Sequence, residues 1–355
     1  GTRILKAGAD GYHAVVLDIT WDRAGPDCQP RIEAELVRVT DWPADPELSR
    51  LASKSYEVLA PLRNTQLAIV PDKFRPLSSM GARDRRTTCG TYLLTCIRDA
   101  LNLDCPKSKP HCDCCLIKGG SCPRGGKDYN EEDQVTLEFL QSEIQETQTI
   151  VVCQVPGHII RVGLRETWAA PNPGWFQYDD GVETDEEGFV VTIGRAPLEP
   201  DRLYRVGTVM DFFRARDGPS IGAYFEEDPS RVPDRDTGIP AHVLLMSFYA
   251  EQVWDRIFKL VDESGDGQID QEEFSKLDVS GTGYVDKDDL MAVLEKVAGF
   301  STFKGENAFV DQVLKASGGR MPQARLTLGG LNRTRLEKLQ RTLDVAGEGE
   351  EEEEE

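Results

Sequence analysis

The sequence predicts an α+β protein in which an α/β domain is followed by an all-helical region and a disordered acidic tail. Runs rich in β-branched and aromatic residues lie in the first part of the chain, two acidic, glycine-containing loops follow residue 240, and the chain ends in the glutamate run Glu350–Glu355. A length of 355 residues suffices for two or three domains. No stretch approaches the roughly 20 apolar residues that span a bilayer, so we expect no transmembrane segment.

Strands and one helix are predicted for residues 1–75. The run His13–Trp21 is rich in branched and aromatic residues, which favours a strand. The run Arg31–Val39 alternates polar and apolar residues, as a half-exposed strand does. Pro46 directly follows Asp45 and precedes apolar residues at helical spacing, which is typical of the first turn of a helix.

A basic cluster, Arg83, Arg85 and Arg86, comes before a predicted amphipathic helix that begins near Thr88. The free N–H groups at a helix N-terminus favour an anion, and arginines beside them add to that preference. A solvated basic turn is the alternative.

The stretch Cys115–Tyr129 runs from a predicted buried strand into four glycines, a proline, Lys118, Lys127 and Arg124. Glycines let backbone N–H groups approach a ligand, and a guanidinium group offers a planar fork to phosphate or carboxylate. The stretch lacks the Gly-Lys-Ser/Thr of a Walker P-loop. An ordinary surface loop is the alternative.

Residues 2 to about 218 resemble the 5'-nucleotidase group of metallophosphoesterases, from the end of the catalytic domain through the C-terminal domain. Six segments occur in the family's order: residues 1–8, Arg83 with residues 87–93, residues 118–124, residues 149–157, residues 174–178, and residues 201–208 with Asp217 and Gly218. The resemblance implies that residues 1–75 are the end of the metallophosphatase domain with a linker. It implies that residues 76–235 are a 5'-nucleotidase C-terminal-like α/β domain, which binds substrate.

In that family the C-terminal domain holds the nucleotide, and the resemblance assigns substrate-binding roles accordingly. Arg83 and Arg124, with Gly119 and Gly120 in the same turn as Arg124, would meet the charged end of a nucleotide or related phosphate ester. Asp217 would lie near the ribose.

The base-stacking aromatics of the family are less well matched. The first falls at about Glu146 and the second beside Asp211, where Phe212 and Phe213 are possible substitutes. The alternative is that these two phenylalanines belong to the core.

The residues of a two-metal catalytic centre are missing from this sequence. Such a centre needs carboxylates, an Asn and several histidines, and the four histidines here are scattered. We expect the divalent metal pair on an upstream domain, and a phosphoric-ester hydrolase for the full-length protein. The alternative is a non-catalytic, calcium-responsive binding module that retained the fold.

Six of the nine cysteines fall between Cys96 and Cys122. Their spacing lacks the paired Cys-x-x-Cys of a zinc finger. Metal binding, disulfides or a redox-labile patch, and free buried thiols all remain open.

The clearest motif is the first loop, Asp262–Glu273. Glycine at its sixth position allows a sharp turn, and an apolar Ile269 stands at the eighth, where paired loops bridge to each other. Ca²⁺ takes 6–8 hard oxygen ligands, and this spacing is that of an EF-hand. The expected ligands are Asp262, Ser264, Asp266, the carbonyl of Gln268, Asp270 and Glu273.

The second loop, Asp278–Asp289, keeps the same spacing with fewer carboxylates. Its expected ligands are Asp278, Ser280, Thr282, the carbonyl of Tyr284, Asp286 and Asp289. The short Asp289 reaches an ion less readily than glutamate, so we expect weaker Ca²⁺ binding, with Mg²⁺ or no ion as alternatives. Only residues 274–277 separate the loops, which predicts one shared helical turn.

The EF-hand region is assigned to residues 240–298, followed by a helical extension over residues 299–343 and an acidic disordered tail over residues 344–355. The formal net charge is −21, and eight of the negative charges lie in that tail. An acidic chain argues against nucleic acid as a partner, because nucleic-acid binders carry basic surfaces.

Overall fold

The computed structural model describes residues 6–7, 11–21, 30–57, 66–103, 111–129, 134–145, 147–169, 174–214, 218–296, 308–316, 327–329 and 331–332. The chain divides into two compact units, Gly1–Ala60 and Pro61–Glu355.

The first unit contains the two predicted strands and the predicted helix. Strand β1 (His13–Thr20) pairs antiparallel with β2 (Arg31–Arg38), with Thr20 opposite Arg31. Helix α1 (Pro46–Glu57) begins where Asp45 Oδ1 accepts the amide protons of the first turn. The sequence patterns predicted these elements to within a residue or so, and all three are confirmed.

A mixed five-stranded sheet forms the centre of the second unit. Its strands are β5 (Cys114–Lys118), β8 (Thr149–Pro156), β9 (Phe176–Tyr178), β13 (Leu203–Val209) and β14 (Ile239–Pro240). They lie in the order β14-β8-β13-β5-β9. Strand β13 is parallel to β5 and antiparallel to β8, and the other pairs are antiparallel.

Smaller strand pairs surround this sheet. They are β3 (Gln66–Ile69) with β7 (Gln134–Thr136), β4 (Leu77–Ser78) with β6 (Asp128–Tyr129), and β10 (Glu183–Thr184), β11 (Val190–Ile193) and β12 (Ala196–Pro197) together. Short 3-10 turns occupy Val39–Asp41, Asp72–Phe74, Met210–Arg214, Pro229–Arg231 and Arg235–Thr237.

Eight helices of the second unit lie within the described residues. They are α2 (Thr88–Asn102), α3 (Leu137–Glu143), α4 (Gly157–Ala169), α5 (Pro219–Glu227), α6 (Ala241–Val261), α7 (Gln271–Leu277), α8 (Lys287–Lys296) and α9 (Ala308–Ala316). The short α7 includes residues 274–277, where one helical turn shared by the two acidic loops is predicted, and begins three residues earlier, at Gln271. In the described part of the chain, no helix is long and apolar enough to cross a membrane.

The sheet separates two apolar clusters, because alternate residues of a strand point to opposite faces. Leu116 belongs to one cluster with the β8 and α4 side chains, while Ile117 belongs to the other with α2 and α6. This second cluster continues without a break from the sheet face along α6 into α7, α8 and α9. The helical region therefore shares its core with the sheet.

Candidate anion-binding and calcium-binding sites

Two loops at the edge of the sheet touch each other through glycines. We refer to residues 79–86 as the arginine loop and to residues 118–127 as the glycine loop. A Cβ on Gly119 would lie 1.9 Å from the carbonyl oxygen of Ala82, and one on Gly120 would lie 2.4 Å from the guanidinium carbon of Arg83. Gly120 also has a φ of +94°, which favours glycine. Gly119 allows the backbones of the two loops to meet, and Gly120 leaves room for the Arg83 side chain.

The glycine loop has no amide left for a ligand. Each N–H from Gly119 to Lys127 donates a hydrogen bond within the protein, except at Pro123, which has no N–H. In chain order, Gly119 donates to Trp175 O, Gly120 to Pro123 O, Ser121 and Cys122 to Lys118 O, Arg124 to Glu143 O, Gly125 to Glu143 Oε2, Gly126 to Ser79 O and Lys127 to Ser79 Oγ. The expectation that these glycines present N–H groups to an anion is therefore wrong. Any anion held here must be held by side chains.

Glu143 fastens the two loops together from beneath. Its side chain is fully buried, and Oε1 accepts hydrogen bonds from Ser79 Oγ (2.8 Å) and from the Tyr129 hydroxyl (2.6 Å). Burial raises the pKa of Tyr129, and its hydrogen bond to Glu143 raises it further, so the phenol keeps its proton. The Glu143 carbonyl accepts the amide proton of Arg124 at 2.8 Å. Sequence reasoning missed this residue, because nothing local marks it.

Gln177 holds the arginine loop from the side of strand β9. Its buried amide donates to the carbonyls of Ala82 (2.8 Å) and Arg85 (2.7 Å) and accepts from the N–H of Thr87 (2.9 Å). Thr87 in turn caps α2 by accepting the amide proton of Gly90. The beginning of α2 is thus anchored by side chains of the protein itself.

Three cations on these loops are exposed, and their side chains make no hydrogen bond or ion pair with any described residue. They are Arg83, Arg124 and Lys127; the last was not among the predicted site residues, although it lies in the same basic run. By contrast, Arg86 stacks on Tyr178 at 4.0 Å and bonds Asp179 O, and Arg85 bonds Met80 O. The structure therefore places two predicted arginines, Arg83 and Arg124, on two loops that contact each other, with side chains unpaired among the described residues.

The other predicted substrate residues lie elsewhere. Phe213 is 8% exposed and packs edge-on against Phe225 at 4.8 Å and Phe212 at 5.8 Å. This packing matches the alternative that the two phenylalanines belong to the core. Asp217 and Glu146 lie outside the described residues.

In the first loop, the end residues turn their carboxylates inward. Asp262 accepts the amide protons of Gly265 (2.7 Å) and Gly267 (3.0 Å), both glycines having positive φ. Glu273 accepts those of Ser264 through Oε1 and Asp270 through Oε2, both at 3.0 Å. These amide hydrogen bonds lower the pKa of Glu273, so it stays a carboxylate.

In the second loop, five predicted ligand positions join in one hydrogen-bond network. Ser280 Oγ lies 3.4 Å from Asp278 Oδ1, 3.2 Å from Thr282 Oγ1 and 3.1 Å from Asp289 Oδ2. Thr282 Oγ1 also lies 3.1 Å from the carbonyl oxygen of Tyr284. Ca²⁺ ligands at 2.3–2.6 Å from the ion are themselves roughly 3 Å apart. The oxygens of this loop have that spacing.

The donor set of both loops suits a hard cation, since it consists of carboxylate, hydroxyl and carbonyl oxygens. Within the described ranges, no three His, Cys, Asp or Glu side chains are grouped closely enough to hold a metal by themselves. In both loops the carboxylates bond the loop's own amides and hydroxyls instead. The residues of both loops fit Ca²⁺ by their chemistry and by their positions in the loop.

The cysteine cluster consists of buried thiols where it is described. Cys89, Cys96, Cys112, Cys114, Cys115, Cys122 and Cys153 are all free and buried. Burial raises the pKa of Cys96 to about 12. Of the alternatives left open by the sequence, free buried thiols describe these seven; Cys28 and Cys105 lie outside the described residues.

No protein-family model and no curated protein matches the chain. Among solved structures, it is similar to the 5'-nucleotidase precursor from Thermus thermophilus, with 17% identity and a TM-score of 0.42 over 68% of this chain and 47% of that one. It is also similar to the NAD nucleotidase of Haemophilus influenzae, with 13% identity and a TM-score of 0.37 over 58% of this chain and 38% of that one. A third similar structure is a putative 5'-nucleotidase from Staphylococcus aureus, with 13% identity and a TM-score of 0.38 over 65% of this chain and 46% of that one. The chain spans less than half the length of each. These similar structures are thus 5'-nucleotidase-family proteins at low sequence identity.

Proposed function

We propose that this chain is the ligand-recognition portion of a 5'-nucleotidase-like phosphoester hydrolase. In this proposal the arginine loop and the glycine loop hold the anionic end of a nucleotide or related phosphate ester. The observation that carries it is the pair of exposed arginines, Arg83 and Arg124, whose side chains are unpaired among the described residues, on two loops that contact each other. Guanidinium groups bind phosphate oxygens through parallel, charge-assisted hydrogen bonds.

Side chains alone would provide this recognition, because the amides of the glycine loop are already bonded. Lys127 adds a third positive charge at the end of the same loop. Hydrolysis would need a two-metal centre, which we assign to a separate domain of the full-length protein.

We further propose that the first and second loops bind Ca²⁺. The support is the inward orientation of Asp262 and Glu273 in the first loop and the spacing of oxygens around Ser280 in the second. When bound, the ion would be coordinated by the carboxylate, hydroxyl and carbonyl oxygens of these loops.

Calorimetric titration of the full chain with AMP tests the anion site. A charge-assisted hydrogen bond contributes about 1.5–3 kcal/mol, so Arg83→Ala or Arg124→Ala should weaken binding by roughly 10- to 100-fold. Arg124→Lys should retain part of the affinity. Arg235→Ala, which removes an equal charge at an exposed position away from the loops, should bind as the unaltered chain does. Equal affinities for all four variants would refute the proposal.

A second candidate is a non-catalytic, calcium-responsive binding module. The burial of Phe213 favours it, since a buried ring offers no face to a base. The two candidates differ in the full-length protein. An enzyme should release phosphate from AMP with a divalent metal, whereas a module should bind the ester without turnover and with an affinity that depends on Ca²⁺.

A further inference from the structure

The side chain of Asn332 is hydrogen-bonded twice to the backbone of one residue in the first loop. Asn332 Nδ2 donates to the carbonyl oxygen of Ile269 at 2.8 Å, and Asn332 Oδ1 accepts the Ile269 amide proton at 2.9 Å. A carboxamide has the same donor and acceptor as a peptide group. Asn332 therefore pairs with Ile269 as a neighbouring strand would.

Asn332 is itself held in place by the core. The amide of Leu331, the residue before it, donates to Thr327 O at 2.9 Å in a helical turn, and the Leu331 side chain is 2% exposed in the cluster shared with α6. Ile269, on the other side of the contact, is also 2% exposed. Two buried neighbours thus fix the carboxamide against the loop.

The contact bears on the expected calcium ligands through the planarity of the peptide bond. In a trans peptide the C=O and N–H point in opposite directions. Holding the N–H of Ile269 outward therefore turns the carbonyl of Gln268, the ligand at the seventh position, the opposite way. Holding the carbonyl of Ile269 likewise turns the N–H of Asp270 the other way, where it donates to Glu273 Oε2 at 3.0 Å.

We propose that Asn332 is a positioning residue for calcium in the first loop, taking the place of a partner loop at Ile269. It does not touch the ion; it orients the Gln268 carbonyl and, through Asp270, the Glu273 carboxylate. The proposal rests on the calcium binding proposed above. It makes Thr327, Leu331 and Asn332 part of the calcium-binding unit.

The test is a Ca²⁺ titration of the full chain followed by amide NMR at Gly267 and Gly283. These glycines donate to Asp262 and Asp278 and so report the first and second loops separately. Asn332→Asp keeps the shape of the side chain but loses the hydrogen-bond donor to the Ile269 carbonyl. It should lower the calcium affinity of the first loop, as reported by Gly267, about tenfold or more, with a much smaller change in the affinity of the second loop, as reported by Gly283. Asn332→Ala should do the same.

A matched control exists in the chain. Asn102 clamps the backbone of Cys112 in the same double manner, at 3.0 and 2.8 Å, far from either loop in sequence. Asn102→Asp should leave the calcium affinity at Gly267 unchanged even where it lowers the melting temperature. In the calcium-free Asn332→Asp chain, the Ile269 amide should exchange with solvent at least about tenfold faster.

The outcomes separate the two proposals. If the unaltered chain shows no Ca²⁺ response at either glycine, the calcium proposal itself fails. If it binds Ca²⁺ and both Asn332 variants match it at Gly267, Asn332 has no positioning role. If Asn102→Asp weakens the first loop as much as Asn332→Asp does, the effect is one of general stability, and the inference is overturned.

Discussion

The hydroxyl of Tyr249 lies 3.3 Å from that of Tyr92 and donates a hydrogen bond to it, joining helix α6 to helix α2. Both side chains are buried in the cluster that extends into the helical region. Helix α6 leads directly into Asp262, the first residue of the first loop, while α2 begins beside the arginine loop. One continuous core therefore runs from the sheet to the calcium candidates.

We predict that Ca²⁺ raises the melting temperature of the whole second unit rather than of the helical region alone. A ligand that binds only the folded state stabilises it by about 2.7 kcal/mol at 100 times its dissociation constant. Because the core is shared, the sheet should gain this protection too. Hydrogen exchange at Val151 and Cys153 in β8, with and without Ca²⁺, measures it. Protection confined to α6–α8 would contradict this prediction, and Asp262→Asn should abolish most of the gain.

Glu143→Gln is predicted to weaken both stability and AMP binding. The carboxylate accepts from Ser79, Tyr129 and Gly125, and an amide would place a donor against at least one of these donors. A buried group left without a partner costs about 1–3 kcal/mol. Urea unfolding and calorimetry measure the two effects. The exposed Glu226→Gln serves as control, and equal behaviour of the two variants would show that Glu143 does not organise the loops.

The buried cysteines are predicted to be unreactive in the native protein. Burial raises the pKa of Cys96 to about 12, and desolvation likewise raises the pKa of Cys89, Cys114 and Cys115. The thiolate is the reactive form, so a disulfide reagent at about pH 8 should find almost none of it. At most the two cysteines outside the described residues should react before denaturant is added. Rapid native labelling of Cys96, identified by mass spectrometry, would contradict the buried thiol.

Acid is predicted to destabilise the calcium-free loops only well below neutrality. Amide hydrogen bonds from Asp270 and Ser264 hold the pKa of Glu273 below its ordinary 4.5. For Asp278, desolvation raises the pKa, but the amides of Gly283 and Thr282 lower it more. A carboxylate whose pKa is lower in the folded than in the unfolded chain stabilises the fold at pH values above its unfolded pKa. This stabilisation is lost as the pH falls through the folded pKa.

The melting temperature of the calcium-free chain should accordingly stay level from about pH 7 to pH 5 and fall below about pH 4. Glu273→Gln should melt lower at neutral pH and show a smaller fall in acid. A decline that begins between pH 7 and pH 6 would mean that other groups, with raised pKa values, control the loops. Circular dichroism at helical wavelengths follows the transition.

Local patterns predicted the local structure well. The alternation in Arg31–Val39 and the proline after Asp45 each depend on neighbours in sequence, and strand β2 and helix α1 begin where expected. Arg83 and Arg124 were likewise predicted from their own loops, and the structure places these loops in contact.

The contacts that decide what the loops can do come from distant residues. The amide of Gly119 is bonded by the carbonyl of Trp175, and that of Gly125 by Glu143. Asn332 reaches Ile269 across 63 residues of sequence. A glycine-rich run looks the same whether its amides face a ligand or another strand of the same protein. Tertiary packing decides which of these partners the amides have, and the periodicity of the sequence carries no signal of it.

The internally bonded amides of the glycine loop also determine the conformational entropy that ligand binding would cost at the proposed anion site. A loop that is already ordered loses little freedom when a ligand arrives, so the unfavourable entropy of binding falls on the Arg83 and Arg124 side chains, at up to about 2 kcal/mol each. Long, mobile side chains adapt to anions of different shape, whereas a fixed cradle of amides accepts one. Such a site should select ligands by charge more than by shape. Its affinity should depend on how many ionised oxygens a ligand carries more than on the chemical group to which they belong.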